Sequence, residues 1–223
     1  MNYVFVHGAW GGGHFDQLIS ELQGHGHQAF KVLLKGMGAR ISELSPAITM
    51  GDHVNDVLEQ IEKAGFERFV LVGHSYGGMV ITRVSALLGA RIDALVYLDA
   101  FLPQDGEALW DIASDWERQH YIDAQRDTPG LVGPLPFITS ADKQRQPLLT
   151  ITEAVRLGGD EALVPKRVYV FATNGSPGTF GKFRDRAATE DGWQLYELEG
   201  RHSIHLDQPE QVRDILLSLS QGE

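Results

Sequence analysis

The chain contains no cysteine. That absence removes disulfide frameworks, thiolate zinc sites and cysteine nucleophiles from consideration. Basic charge is also scarce. Nineteen Lys and Arg face 30 Asp and Glu, a net charge of −11, and no Lys/Arg run occurs. Neither nucleic acid nor an anionic membrane surface is therefore an expected partner. No stretch reaches the roughly 18 apolar residues that a membrane helix needs. No charged segment, apolar core and cleavage site precede Val4-Phe5-Val6, so no secretory signal is evident and a soluble cytoplasmic protein is expected. Metal patterns are missing as well. There is no H-E-x-x-H or carboxylate–histidine cluster, and His25 and His27 simply flank a glycine in a turn, so no metal is expected.

What is present suits an ordinary globular core: 43% of residues are hydrophobic and 22% charged over 223 residues, enough for one domain, 1–223. Short apolar runs alternate with segments of helical period, the pattern of a mostly parallel sheet flanked by helices. Strands are expected at Tyr3–Val6, Ala29–Leu34, Arg68–Val72 and Ile92–Leu98. Between them, helices are expected at Phe15–Leu22, Thr49–Lys63 and Met79–Leu88. The second helix carries Val54, Val57, Leu58 and Ile61 on one face and stops at Gly65. From Pro103 to Pro165 the rhythm breaks into prolines, glycines and scattered tryptophans with no clear strand. This reads as a small helical cap inserted at 103–165, with one helix at Asp111–Asp123. Strands resume at Lys166–Phe171 and Trp193–Leu198, and a helix at Pro209–Leu219 closes the chain.

The sharpest chemical signal is Gly73-His74-Ser75-Tyr76-Gly77-Gly78, a G-x-S-x-G placed directly after a strand and before a helix. Such a turn exposes the serine hydroxyl at the strand's carboxyl end, and its glycines admit close backbone neighbours. The N-terminus of the following helix favours developing negative charge. A second signal, His7-Gly8-Ala9-Trp10-Gly11-Gly12-Gly13, ends the first strand. Its backbone can approach a reacting carbonyl. Without Lys followed by Ser or Thr it is not a phosphate loop.

With these two segments and Gly200-Arg201-His202, followed by Leu206 and Pro209-Glu210, the chain resembles a compact α/β-hydrolase of the esterase, hydroxynitrile-lyase and haloalkane-dehalogenase type along nearly its full length. The resemblance implies an α/β-hydrolase fold and no cofactor. It implies an oxyanion hole made by the amides of Ala9 and Tyr76, with Trp10 as a pocket wall. The family's histidine follows Gly-x after the last strand, seven residues before the proline that opens the final helix. His202 fits that place, and His205 is the alternative. The loop after the resumed strand, 172–178, holds no carboxylate, a departure from the commoner family pattern. The acid is then Asp99, at the end of the strand after the elbow helix, with Asp105 as second choice; Asp185 falls in a helix.

The expected activity is cofactor-independent hydrolysis of a small carboxylic ester through an acyl-enzyme on Ser75, with a small molecule as partner and a monomer or homodimer as the assembly. His14, Phe101, Trp110, Trp116 and Phe137 are candidate pocket residues. Amide, carbamate or lactone hydrolysis uses the same triad. Hydroxynitrile lyases of this type usually carry Thr after the first-loop His and Lys after the catalytic His, where this chain has Gly8 and Ser203. A non-catalytic small-ligand receptor on this fold stays open.

Overall fold

The computed structural model describes residues 1–11, 13–136, 144–175 and 177–219. In chain order the first half is β1 (Asn2–Val6), α1 (Asp16–Gly24), β2 (Gln28–Lys31), α2 (Met50–Ala64), β3 (Phe69–His74), α3 (Gly77–Leu88) and β4 (Ile92–Leu98). Next come α4 (Leu109–Ile112), α5 (Asp115–Asp127), β5 (Leu131–Val132), β6 (Gln146–Pro147) and α6 (Leu149–Thr152). The chain ends with β7 (Arg167–Ala172), α7 (Pro177–Thr189), β8 (Trp193–Leu198), α8 (Ile204–Asp207) and α9 (Pro209–Ser218). Six strands form a sheet in the order β2-β1-β3-β4-β7-β8, and every pairing in it is parallel. No helix among the described residues is long and apolar enough to cross a membrane.

The strands alternate between two cores because successive side chains leave a strand on opposite faces. Val4, Val6, Leu71, Tyr97 and Phe171 join one cluster, with α2, α3 and the 103–165 segment. Tyr3, Phe5, Val72, Val96 and Val170 join the other, with α1 and α9. Both faces are covered, so the central strands read as unbroken apolar runs. The first strand connects outward to β2 and then back across to β3. The order therefore reverses between β1 and β3, and ligands bind outside the carboxyl ends of strands at such a point.

Local chemistry sets the element boundaries. Thr49 caps α2 in a reciprocal box with Asp52, and Gly65 closes it at φ +67°. Expected to reach Leu34, the second strand stops at Lys31. There side chains of α2 take over the backbone amides: Gln60 accepts from Leu33 N at 3.0 Å and Asp56 from Lys35 N at 2.6 Å. The single helix expected at Asp111–Asp123 is two. Ser114 and Glu117 form a capping box that starts α5 afresh. That S-x-x-E signature stands in the sequence. Between β4 and β7 the structure also places a two-stranded antiparallel ribbon of β5 and β6, where no strand was expected.

Crowding is severe where β1, β3 and the chain beyond β4 meet α3. A methyl group on Gly77 would lie 2.4 Å from the Val6 carbonyl oxygen, and one on Gly78 would lie 2.0 Å from that of Phe101. Both obstacles are backbone and cannot yield cheaply. Gly78→Ala is expected to lose on the order of 3 kcal/mol or more of stability. Gly24→Ala at the open end of α1, where nothing lies within 4 Å, should be neutral or gain about 0.4–1 kcal/mol. Urea unfolding of the two variants beside the wild type checks both; equal effects would remove the crowding argument.

Candidate active site

Three non-glycine residues take positive φ among the described residues: Trp10 at +60°, Ser75 at +53° and Asp99 at +41°. They lie beyond the carboxyl ends of β1, β3 and β4, three neighbouring strands. Each such conformation costs about 1–3 kcal/mol and persists only where the surroundings enforce it. At Ser75 the enforcement is visible. Its carbonyl accepts from Gly78 N at 3.0 Å and from Phe101 N at 3.1 Å, and a methyl group at Gly8 would sit 3.0 Å from its Cβ.

Asp99 is fully buried. Its backbone N–H extends the β4–β7 pairing by donating to Val170 at 2.7 Å. Oδ1 accepts from Ala172 N at 3.2 Å, and Oδ2 accepts from His202 Nδ1 at 2.7 Å. A donating Nδ1–H leaves Nε2 of neutral His202 as the basic nitrogen. The His202 ring stacks on Phe180 at 4.8 Å and 15°. Its carbonyl accepts from His74 Nε2 at 3.0 Å. In the loop after β7, Gly175 lies against the buried acid: a methyl group there would come within 2.9 Å of Asp99 Oδ2. That loop closes over a carboxylate supplied by the neighbouring strand.

Ser75, His202, Ala9, Tyr76, Trp10, His14 and Phe101 all line one cavity of about 510 Å³. Trp10 and Tyr76 are further anchored away from it. The Trp10 indole donates to Val132 at 3.1 Å and its backbone N–H to Gln146 Oε1 at 3.4 Å. The Tyr76 hydroxyl donates to His53 Nδ1 at 2.9 Å, because His53 Nε2–H is given to the Lys35 carbonyl at 3.0 Å. Burial holds the His53 ring below its usual range, so it stays neutral and can accept that bond. His74 stands at a variable position of the G-x-S-x-G and His53 and Gln146 stand in no motif, so the supporting contacts of all three follow only from the fold.

Several expectations need correction. Trp110 does not line this cavity; it faces a separate shallow hollow with Ile122 and Thr152. Trp116 is 47% exposed on the outside of α5. Phe137 lies outside the described residues. Asp105, the second choice for the acid, is a turn residue whose Oδ1 accepts from Leu157 N at 2.8 Å, and Asp185 pairs with Arg184. His205, the alternative to His202, is buried. It is 5% exposed, packs on Phe15 at 4.6 Å and His74 at 4.8 Å, and has a buried Nδ1 with no partner among the described residues. No metal-binding group of three or more His, Asp or Glu occurs among the described residues.

The chain matches the profile described as the alpha/beta hydrolase family over residues 3–215. It is 32% identical to a carbendazim hydrolyzing esterase of a Nocardioides species, with 98% of this chain and 99% of that one aligned. It is 24% identical to an esterase of Oryza sativa subsp. japonica, across 96% of this chain and 92% of the relative. Among solved structures, an extracellular alpha/beta-hydrolase from a Paenibacillus species superposes with a TM-score of 0.84 over 98% of both chains, at 22% identity. That superposition establishes the shared fold.

The buried histidines make stability depend on acid. Burial pushes His205 down to about 3 and His7 down to about 4. Above an unfolded value near pH 6.5 these rings are neutral in both states and contribute no slope. As pH falls below 6.5 the unfolded chain takes protons that the folded chain refuses, so stability is lost towards pH 4 and below. His205→Phe removes one such group and should flatten the loss by up to about 1.4 kcal/mol per pH unit. Urea midpoints at pH 7.5 and 4.5 test this; an unchanged slope in the variant would contradict it.

Proposed function

The chain belongs to the alpha/beta hydrolase family, and from that premise we propose that it is a serine esterase that cleaves a small carboxylic ester through an acyl-enzyme on Ser75. The observation that carries this reading is the 2.7 Å bond from His202 Nδ1 to buried Asp99 at the edge of the cavity that Ser75 also lines. Relatives named as esterases over nearly the whole chain support the ester bond as the target.

In this reading Ser75 attacks the substrate carbonyl while His202 Nε2 takes its proton as general base. Asp99 holds the imidazole in the required tautomer and stabilises the imidazolium that forms. The amides of Ala9 and Tyr76 receive the oxyanion, each worth about 3–4 kcal/mol when measured by removing one such donor in a serine protease. His202 then protonates the leaving alcohol, and water, activated by the same histidine, releases the acid. The segment 103–165 acts as the cap, with Leu109 and Leu135 turned to the cavity.

Hydrolysis of p-nitrophenyl acetate, butyrate and octanoate tests the reading. Ser75→Ala should fall to near background, and Asp99→Asn should lose about 10⁴ in kcat with little change in KM. The chain-length profile measures the acyl pocket. No turnover by folded wild type would overturn the esterase reading in favour of a ligand-binding role.

A further inference from the structure

The cavity wall opposite the strand ends contains a charge that the proposed chemistry does not use. Glu117, in the first turn of α5, is 3% exposed and lines the cavity beside Leu109, Tyr121 and Leu135. Its Oε2 is occupied, accepting from Ser114 N at 2.8 Å and from Ser114 Oγ at 2.6 Å. For Oε1 the structure gives no hydrogen bond among the described residues. No ion pair there engages Glu117 either, and the nearby cation Lys182 gives its Nζ to the Ile112 carbonyl at 2.6 Å. Arg118, the next residue, pairs with Asp115 instead.

A carboxylate in such a wall sets an asymmetric condition on whatever fills the cavity. An apolar group would strip water from the charge and return nothing, which is costly for a buried ion. A group with a positive N–H would replace that water with a charge-assisted hydrogen bond. Sites built to bond a polar group reject isosteres lacking it far more strongly than apolar pockets reject a hydroxyl or methylene. The net charge of −11 favours approach of a cation in the same direction. Capping α5 does not by itself account for this placement, since a capping box functions with its carboxylate in water.

Resting on the esterase reading, we infer that Glu117 is a specificity-determining residue and that the preferred substrates are esters carrying a basic nitrogen, an amine or amidine protonated at neutral pH. The nitrogen lies in whichever part of the ester, acyl or alcohol, occupies the cap side of the cavity.

Two matched pairs test both placements at pH 7. S-dimethylaminoethyl thiobutyrate is compared with S-isopentyl thiobutyrate, and p-nitrophenyl dimethylaminobutyrate with p-nitrophenyl isoheptanoate. Within each pair the shape is kept and the charge removed. In one pair the wild type should favour the amine by about tenfold or more in kcat/KM, the size of a charge-assisted bond. Glu117→Gln should abolish that preference, with kcat/KM falling for the amine and rising for the neutral member, which no longer strips water from a charge; glutamine also serves in a capping box. The wild-type comparison stands even if the variant folds poorly. Turnover of the neutral esters that depends on Ser75, with no amine preference in either pair, overturns this inference and leaves the esterase reading intact. A preference that survives in Glu117→Gln removes Glu117 from the explanation. No turnover of any of the four defeats the esterase reading itself, and this inference with it.

Discussion

Backbone from three strand ends is packed against the start of α3 with no space for a side chain between them. The carbonyls of Val6 and Phe101 approach Gly77 and Gly78 so closely that a methyl group would overlap them. This contact holds the elbow at Ser75 in a left-handed conformation that serine does not otherwise favour. It also brings the loops after β1 and β4 to the same place. Trp10 and Asp99, strained in the same sense, are the other ends of that arrangement. The rest of the site follows from it: a serine displayed at a helix N-terminus, a glycine-rich loop at its side, and an acid one strand away.

Around this packing the polar groups form supports that reach well beyond the cavity. Asp99 is satisfied from two sides, by the Ala172 amide and by His202. The loop bearing His202 is tied back by His74 and by the bidentate pair of Arg201 with Asp207. Gln146, fully buried in the ribbon of the 103–165 segment, accepts from Trp10 N and donates to Thr150 Oγ1 at 2.5 Å. That segment thus forms a cavity wall and also holds the first loop in place. Functional groups on loops acquire fixed geometry through such bonds from more rigid elements.

Much of the fold was legible because its signals are local. Alternating burial needs only the period of a strand, and Gly65 or the Thr49–Asp52 box needs only its own turn. Where neighbours from elsewhere in the chain intervene, local reading went astray. Gln60 and Asp56 shorten β2 from across α2, and nothing within 29–34 announces that. The split of α4 from α5 was different: Ser114 and Glu117 spelled out a start signal that the helical period obscured. At the site, Ser75 and the first loop stand in contiguous motifs. Trp110 and Trp116 show the limit: the cap that starts α5 puts them on separate helices, one at a side hollow and the other exposed.

The sequence by itself determined the alternating α/β order, the strand–serine–helix turn and the glycine spacing around it, because each depends on residues adjacent in the chain. It also restricted the acid to a few positions. Only the tertiary structure shows which of them bonds to His202. Parallel strands bring Asp99 and His202 together across 103 positions, while Asp105 and Asp185 are drawn into other bonds. Likewise only the folded chain turns Glu117 from a helix cap into a charge on a cavity wall. Hydrogen-bond partners and burial are properties of packing, and packing joins residues whose separation in sequence carries no record of the contact.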